Sequence, residues 1–222
     1  MKIVNRILQA FAHRIYSSRA IAQYIFELKF QPMKSAYYYF DITTYTILKK
    51  VIPRLTKSNV VLDLGTGPHA VVGLSTWKRI GCKVISVDIN PNLASFARQT
   101  IQLNSAPIEV VESDLFTNVR DRFDTVIFNA PYVPTGDGES WNLSKETQTQ
   151  WDGGADGTEV IQKLFRALAN YKDPVTCFMG INGLLVPQKA VYSLLKNFPG
   201  LHCPEIIKIG MLPTDVYVIK NQ

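Results

Sequence analysis

The sequence predicts an α/β fold: a doubly wound, mostly parallel sheet with an antiparallel C-terminal strand, preceded by an N-terminal helical extension. Three observations carry this. From residue 59 onward, short apolar runs alternate with helical stretches. The last two runs, Glu205–Ile209 and Val216–Ile219, read as a closing antiparallel pair. Basic residues crowd ahead of the first strand: residues 1–58 hold ten Lys/Arg against two acids, a net +8, and the rest holds fourteen against sixteen, a net −2.

Taken in order, Val4, Leu8, Phe11 and Ile15 recur at helical spacing, with Lys2, Arg6, Gln9 and His13 off the stripe. This predicts an amphipathic helix reaching about Phe30 before Pro32 ends it. A second helix spans roughly Asp41–Leu55. Asn59–Leu64 reads as a buried strand, followed by a glycine turn and a helix from Ala70 to Ile80. Lys83–Val87 is the second strand, and Asn90-Pro91 opens a helix through Asn104. Ile108–Glu112 and Phe123–Phe128 are the third and fourth strands. A Gly-rich stretch, Val133–Gly157, reads as a long loop and a substrate lid. A helix over 158–169, a strand over 175–179 and a helix over 187–196 follow. Residues 1–57 form the basic extension and 58–222 the sheet domain. Strand–helix alternation implies right-handed crossovers, which put ligands beyond the carboxyl ends of the strands.

Bulk properties exclude several classes. Apolar residues make up 46% and charged residues 19%, which argues against disorder. No apolar run is long enough to span a membrane as a helix. Asn5, Arg6, Gln9, His13 and Arg14 interrupt any signal-peptide core. Cys82, Cys177 and Cys203 lie far apart, with neither metal-ligand nor disulfide-framework spacing, so a cytoplasmic protein without a metal is expected.

The residues just after each strand are the candidate site. Asp63-Leu-Gly65-Thr66-Gly67 follows the first strand, and its glycines admit a ligand close to the backbone. Asp88 and Ile89 follow the second, where a carboxylate can accept ribose hydroxyls. Ser113-Asp114 follows the third and Asn129-Ala130-Pro131-Tyr132 the fourth. Gly65, Gly67 and Ala70 also fit the dinucleotide fingerprint, with Asp88 21 residues past Gly67, so an NAD oxidoreductase competes. That reading leaves Asp114 and the Asn-Ala-Pro-Tyr turn unexplained.

The whole series resembles the class I S-adenosylmethionine-dependent methyltransferases and their Rossmann-like sheet. Asn129-Ala-Pro-Tyr132 is similar to their Asn-Pro-Pro-Tyr motif. Trp151-Asp-Gly-Gly-Ala-Asp-Gly157 resembles the HemK-like release-factor glutamine N5-methyltransferases. The resemblance covers about residues 58–186. It implies S-adenosylmethionine as cofactor, held by Asp63, Gly65, Thr66, Gly67, Asp88, Ile89, Ser113, Asp114 and Asn129. It also implies acceptor recognition by Asn129, Ala130, Pro131 and Tyr132, with the Asn129 side-chain oxygen and the Ala130 carbonyl taking two N–H bonds from a planar nitrogen and Tyr132 stacking on its flat face. A protein glutamine of a release-factor-like substrate is the implied acceptor, and a small partner subunit is compatible with a chain of this length.

The chain departs from the family at Pro68-His69, where a small residue and Gly are usual, so that His69 narrows the donor pocket, touches the donor or simply packs. It departs again at Ala130, which loses proline's fixed φ. Other acceptors fit the same turn: an adenine or guanine amino group of RNA or DNA, or a small-molecule amine or amide. A catalytically silent donor-binding module is the non-enzymatic alternative. Tyr16, Tyr24, Tyr37, Tyr38, Tyr39 and Phe40, interleaved with the basic residues, suit nucleic acid; a pair of amphipathic helices covering the sheet edge, with solvated charges, is the favoured reading.

Overall fold

The computed structural model describes residues 14–32, 38–208, 210 and 212–221. Seven strands form one sheet in the order β3-β2-β1-β4-β5-β7-β6. They are β1 (Val60–Leu64), β2 (Lys83–Asp88), β3 (Glu109–Glu112), β4 (Thr125–Asn129), β5 (Thr176–Asn182), β6 (His202–Lys208) and β7 (Thr214–Lys220). The first five run parallel, and β7 lies antiparallel between β5 and β6. The helices are α1 (Arg19–Phe26), α2 (Ile42–Val51), α3 (Val71–Ile80), α4 (Pro91–Leu103), α5 (Thr135–Ser140), α6 (Gln148–Trp151), α7 (Glu159–Ala169) and α8 (Gln188–Leu195).

Strand periodicity divides the core. Val61, Val84, Ile127, Phe178 and Val216 face one way, onto α2, α3 and α4. Leu62, Ile85, Val126, Met179 and Tyr217 face the other, onto α7 and α8. Central strands covered on both faces explain the continuous apolar runs. The extension therefore does not stand apart: α2 lies on β5, where a Cβ at Gly180 would come within 2.6 Å of Thr43 Cγ2 and 2.7 Å of Ile47 Cδ1.

Four expectations are corrected. The first helix does not run to Phe30. Ser18 breaks the chain by capping α1, accepting Ile21 N at 3.4 Å, and Glu27 ends it in a left-handed conformation (φ 53°). Val4, Leu8 and Phe11 lie outside the described residues, and Ile15 packs against the core. The second helix stops at Val51, because Pro53 turns Ile52–Arg54 into a 3-10 turn. Val133–Gly157 is not an irregular loop throughout but carries α5, a 3-10 turn (Lys145–Thr147) and α6. The closing strands begin earlier, at His202 and Thr214; Pro204 fits because β6 is the sheet edge.

Candidate functional site

The glycine turn after β1 is shaped by its neighbours. Gly65 and Gly67 have φ of +64° and +62°, a region that disfavours side chains. A Cβ at Gly65 would press on the Phe128 ring at 3.1 Å, whereas a Cβ at Gly67 would meet nothing within 4 Å. Thr66 N donates to Val87 O at 2.8 Å, and Gly67 N to Asp88 Oδ2 at 2.9 Å. Asp63 is 2% exposed and braces this turn from beneath, accepting Gly73 N at 2.9 Å, the Thr66 hydroxyl at 2.5 Å and the Ser86 hydroxyl at 3.4 Å. Burial pushes its carboxyl up to about 7; the three donors pull it back and the Asp88 charge adds to the rise.

Asp88 ends β2. Its other oxygen accepts Asn90 N at 2.9 Å, and burial raises its pKa against those backbone donors. With Ile89 N–H as a third backbone donor the carboxylate still keeps a lone pair, and Ile89 itself is half exposed. Beyond β3, buried Ser113 accepts Asn118 N at 2.9 Å. Asp114 is exposed, and its carbonyl closes a turn by accepting the Thr117 hydroxyl at 2.8 Å. The open turn at Gly67 beside the buried Asp88 carboxylate leaves room for a nucleoside donor at the strand ends.

His69 packs. Its ring is 2% exposed, stacks on Tyr39 at 4.2 Å and meets Phe30 edge-on at 5.6 Å. Neither ring nitrogen has a hydrogen-bond partner among the described residues, and burial pushes its pKa down to about 4. Tyr16 and Phe26 flank Phe40 in the same aromatic cluster. Tyr16, Tyr39 and Phe40 are thus occupied within the fold, while Tyr24 is 87% exposed and Tyr37 lies outside the described residues.

At the end of β4, Asn129 meets the extension. Its Nδ2 donates to Asp41 Oδ1 at 3.1 Å, to Oδ2 at 3.3 Å and to the Thr44 hydroxyl at 3.1 Å. Asp41 is the N-cap of α2, accepting Thr44 N at 2.6 Å. Ala130 is buried, and Pro131 and Tyr132 are partly buried. The Tyr132 hydroxyl bonds Thr43 Oγ1 at 3.0 Å, and burial together with the Asp41 charge raises its pKa. Sequence reasoning missed Asp41, Thr43 and Thr44; an Asp three residues before Thr signals a cap, not a site.

The Trp151–Gly157 segment braces this turn. Val133 N donates to Trp151 O at 2.8 Å, and Gly153 N returns to Val133 O at 2.9 Å. Asp152 accepts the Thr135 hydroxyl, Gly154 N and Gln148 Nε2. A Cβ at Gly157 would collide with the Tyr132 carbonyl, and one at Gly138 with the Trp151 ring. Trp151 therefore packs inside the segment, while Trp141 is half exposed. None of the described helices is long and apolar enough to cross a membrane.

Comparison with known proteins agrees with this geometry. The family model for the methyltransferase small domain matches residues 35–146. A Methanocaldococcus jannaschii protein, provisionally named a protein N5-glutamine methyltransferase, is 34% identical over 68% of this chain and 74% of its own length. The release factor glutamine methyltransferase of Geobacter sulfurreducens is 27% identical over 59% of this chain and 48% of its own length. Among solved structures, a Pyrococcus furiosus methyltransferase superposes with TM-score 0.66 at 18% identity, covering 96% of this chain and 97% of that one, a likeness of fold. With its strand-end loops, sheet order and matched domain together, the chain belongs to the methyltransferase small-domain family, as a HemK-like, S-adenosylmethionine-dependent class I methyltransferase.

Proposed function

We propose that this enzyme methylates a planar amide nitrogen, the side chain of a protein glutamine in a release-factor-like substrate. The observation that carries the reading is the junction of two strand ends. Gly65 packs on the Phe128 ring, so Asn129-Ala-Pro-Tyr132 begins one residue away from the turn that would cradle the donor. Gly65, Thr66 and Gly67 would hold the donor's methionine half; Asp88, Ile89, Ser113 and Asp114 would hold the ribose and adenine.

S-adenosylmethionine held there would supply a sulfonium-bound methyl group: the electron pair of its C–S bond would stay with sulfur, the acceptor nitrogen's lone pair would form the N–C bond, and that nitrogen would give one proton to water. An amide nitrogen is a poor nucleophile because its lone pair is delocalised. The Asn129 Oδ1 and the Ala130 carbonyl would accept its two N–H bonds and aim the lone pair. Orientation of this kind, with dipoles placed where charge develops, supplies most of the rate. Tyr132, its hydroxyl anchored, offers a fixed flat surface to the amide plane.

Two relatives support glutamine by their names. The packing of Tyr16, Tyr39 and Phe40 into the aromatic cluster leaves fewer rings for stacking bases. A further relative in fold is the E. cuniculi Mtq2–Trm112 complex, described as responsible for methylating the eRF1 termination factor; it has TM-score 0.54 at 24% identity, covering 84% of this chain and 98% of that one. We extend the proposal to a small partner subunit, for which β3 is a candidate seat at the sheet edge, where Arg98 and Asn118 now bond the Val110 and Glu112 carbonyls.

The test is transfer from radiolabelled S-adenosylmethionine to a release factor bearing a Gly-Gly-Gln loop, with the site mapped by mass spectrometry. One methyl on that glutamine is expected. Label on RNA with none on the factor overturns the reading in favour of a nucleobase.

A further inference from the structure

We propose that Asp41, assisted by Thr44, is a positioning residue that fixes which end of the Asn129 amide faces the acceptor. This deepens the proposed function and rests on it. An asparagine amide has two nearly isosteric ends, an oxygen that accepts and a nitrogen that donates. Acceptor recognition needs the oxygen, because a planar NH2 group has only N–H to offer. Presented the other way round, Asn129 would set its own N–H against those of the substrate.

Nothing in β4 itself enforces the orientation. The enforcement comes from 88 residues earlier in the chain. A carboxylate only accepts hydrogen bonds, and both Asp41 oxygens lie within 3.3 Å of Asn129 Nδ2. Turning the amide over would replace a charge-assisted N–H···O bond by an oxygen–oxygen approach. The Thr44 hydroxyl, at 3.1 Å, takes a further bond from the same nitrogen. Asn129 Oδ1 accepts no hydrogen bond from the described residues, so the fixed amide presents a vacant acceptor.

The clamp is itself held rigid. Asp41 caps α2 through Thr44 N. One turn of the same helix supplies Thr43, whose hydroxyl bonds both the Tyr132 hydroxyl at 3.0 Å and the Thr214 hydroxyl at 3.3 Å. The first turn of α2 thus grips both ends of the Asn129–Tyr132 motif, the amide by Asp41 and Thr44 and the phenol by Thr43. Gly180 is what lets α2 sit close enough to do so.

Asp41→Asn is the discriminating substitution. Asparagine caps a helix as well as aspartate does, so α2 is retained. The introduced amide can offer either its oxygen or its nitrogen, so Asn129 loses its preference. The expected result is a kcat about 10- to 100-fold lower at unchanged donor affinity, with the Asn129 side-chain amide protons, assigned in 15N spectra by their loss in Asn129→Ala, exchanging faster with solvent. Made in an Asn129→Ala background, the same change should cost nothing further, because there is no amide left to orient. Wild-type kcat and exchange in Asp41→Asn would overturn the positioning role, as would an equal loss in both backgrounds, which marks a general structural defect. Full activity of Asn129→Ala alone would instead overturn the underlying reading of the motif. The exchange measurement needs no methyl acceptor, so it tests the clamp even if glutamine is the wrong substrate.

Discussion

Replacing Gly180 by Ala tests whether the N-terminal extension is part of the active site or only a cover for the sheet. Gly180 is paired in register with Asn129. A Cβ there would lie 2.6 Å from Thr43 Cγ2 and 2.7 Å from Ile47 Cδ1, where ordinary contact begins at 3.4 Å, so α2 must yield by about 0.8 Å. The Ile47 methyl can rotate away. Thr43 cannot do so freely, because it is β-branched and its hydroxyl is bonded to Tyr132 and Thr214. Overpacking of this kind costs about 1–3 kcal/mol. The lost backbone freedom of the unfolded chain returns about 0.4–1 kcal/mol. The net destabilisation is about 1–2 kcal/mol, a fall in Tm of about 2–8 °C for a chain of this size. The larger effect should be on catalysis, since a shift approaching 1 Å in the groups that orient a substrate costs about 10²-fold in rate. Denaturation, calorimetry with S-adenosylmethionine and single-turnover methyl transfer measure the three quantities. Lower stability, intact donor binding and slowed transfer are expected. Lower stability with wild-type transfer would refute the reasoning, since α2 would then have moved without disturbing Asn129 or Tyr132.

Three further outcomes follow from the buried groups. The Asp63 carboxyl rises from 3.8 to about 7 on folding, so the native state holds more protons than the unfolded chain between those values. Its contribution is therefore complete below about pH 4 and is lost as pH rises through about 7, on the order of 4 kcal/mol in all; urea titrations of wild type and Asp63→Asn at pH about 5 and about 8 should diverge accordingly, and a difference independent of pH would refute the assignment. His69 moves the other way, from 6.5 down to about 4, so the native state resists protonation and stability is lost as pH falls through that window. His69→Phe should raise stability by about 1–2 kcal/mol near neutrality, because two unpaired buried nitrogens disappear, and by more at pH about 5; a lower Tm would show that the imidazole is bonded after all. Asp88→Ala removes the acceptor of Gly67 N together with the proposed ribose contact, so the donor Kd should rise about tenfold or more; calorimetry of wild type and variant checks this, and an unchanged Kd would refute the contact.

The parallel half of the sheet was legible because its central strands are buried apolar runs punctuated by Gly, Asp or Asn-Pro at their ends, while the more exposed edge strand β3 shows as two valines between glutamates. Lys83–Val87, for instance, differs from the observed strand by one residue. What escaped was governed by tertiary context. Pro204 hid the start of β6, since a proline is tolerated there because the strand is at the sheet edge and its register with β7 shifts between His202 and Glu205. The stretch from Val133 to Gly157 read as a loop because its five glycines look like flexibility. Several of them answer close packing: Gly138 against Trp151, Gly153 against the Gly157 backbone, Gly157 against the Tyr132 carbonyl. In such places a glycine marks a neighbour's proximity, and the neighbour lies beyond the reach of a local pattern.

The site divides along the same line. Residues at the strand ends could be placed from topology alone, so Gly65, Gly67, Asp88 and Asn129 could be named as candidates. Asp41, Thr43 and Thr44 could not, because a first helical turn has the same sequence whether it caps a solvated helix or grips a motif 88 residues away. The charge asymmetry even pointed elsewhere, toward an outward-facing basic arm. The structure shows a second face to that extension, turned inward through α2 and the His69–Tyr39 stack onto the strand ends. The matched family domain itself begins at residue 35, ahead of Asp41. Orientation of Asn129 is then a property of two distant segments together, and neither segment carries it alone.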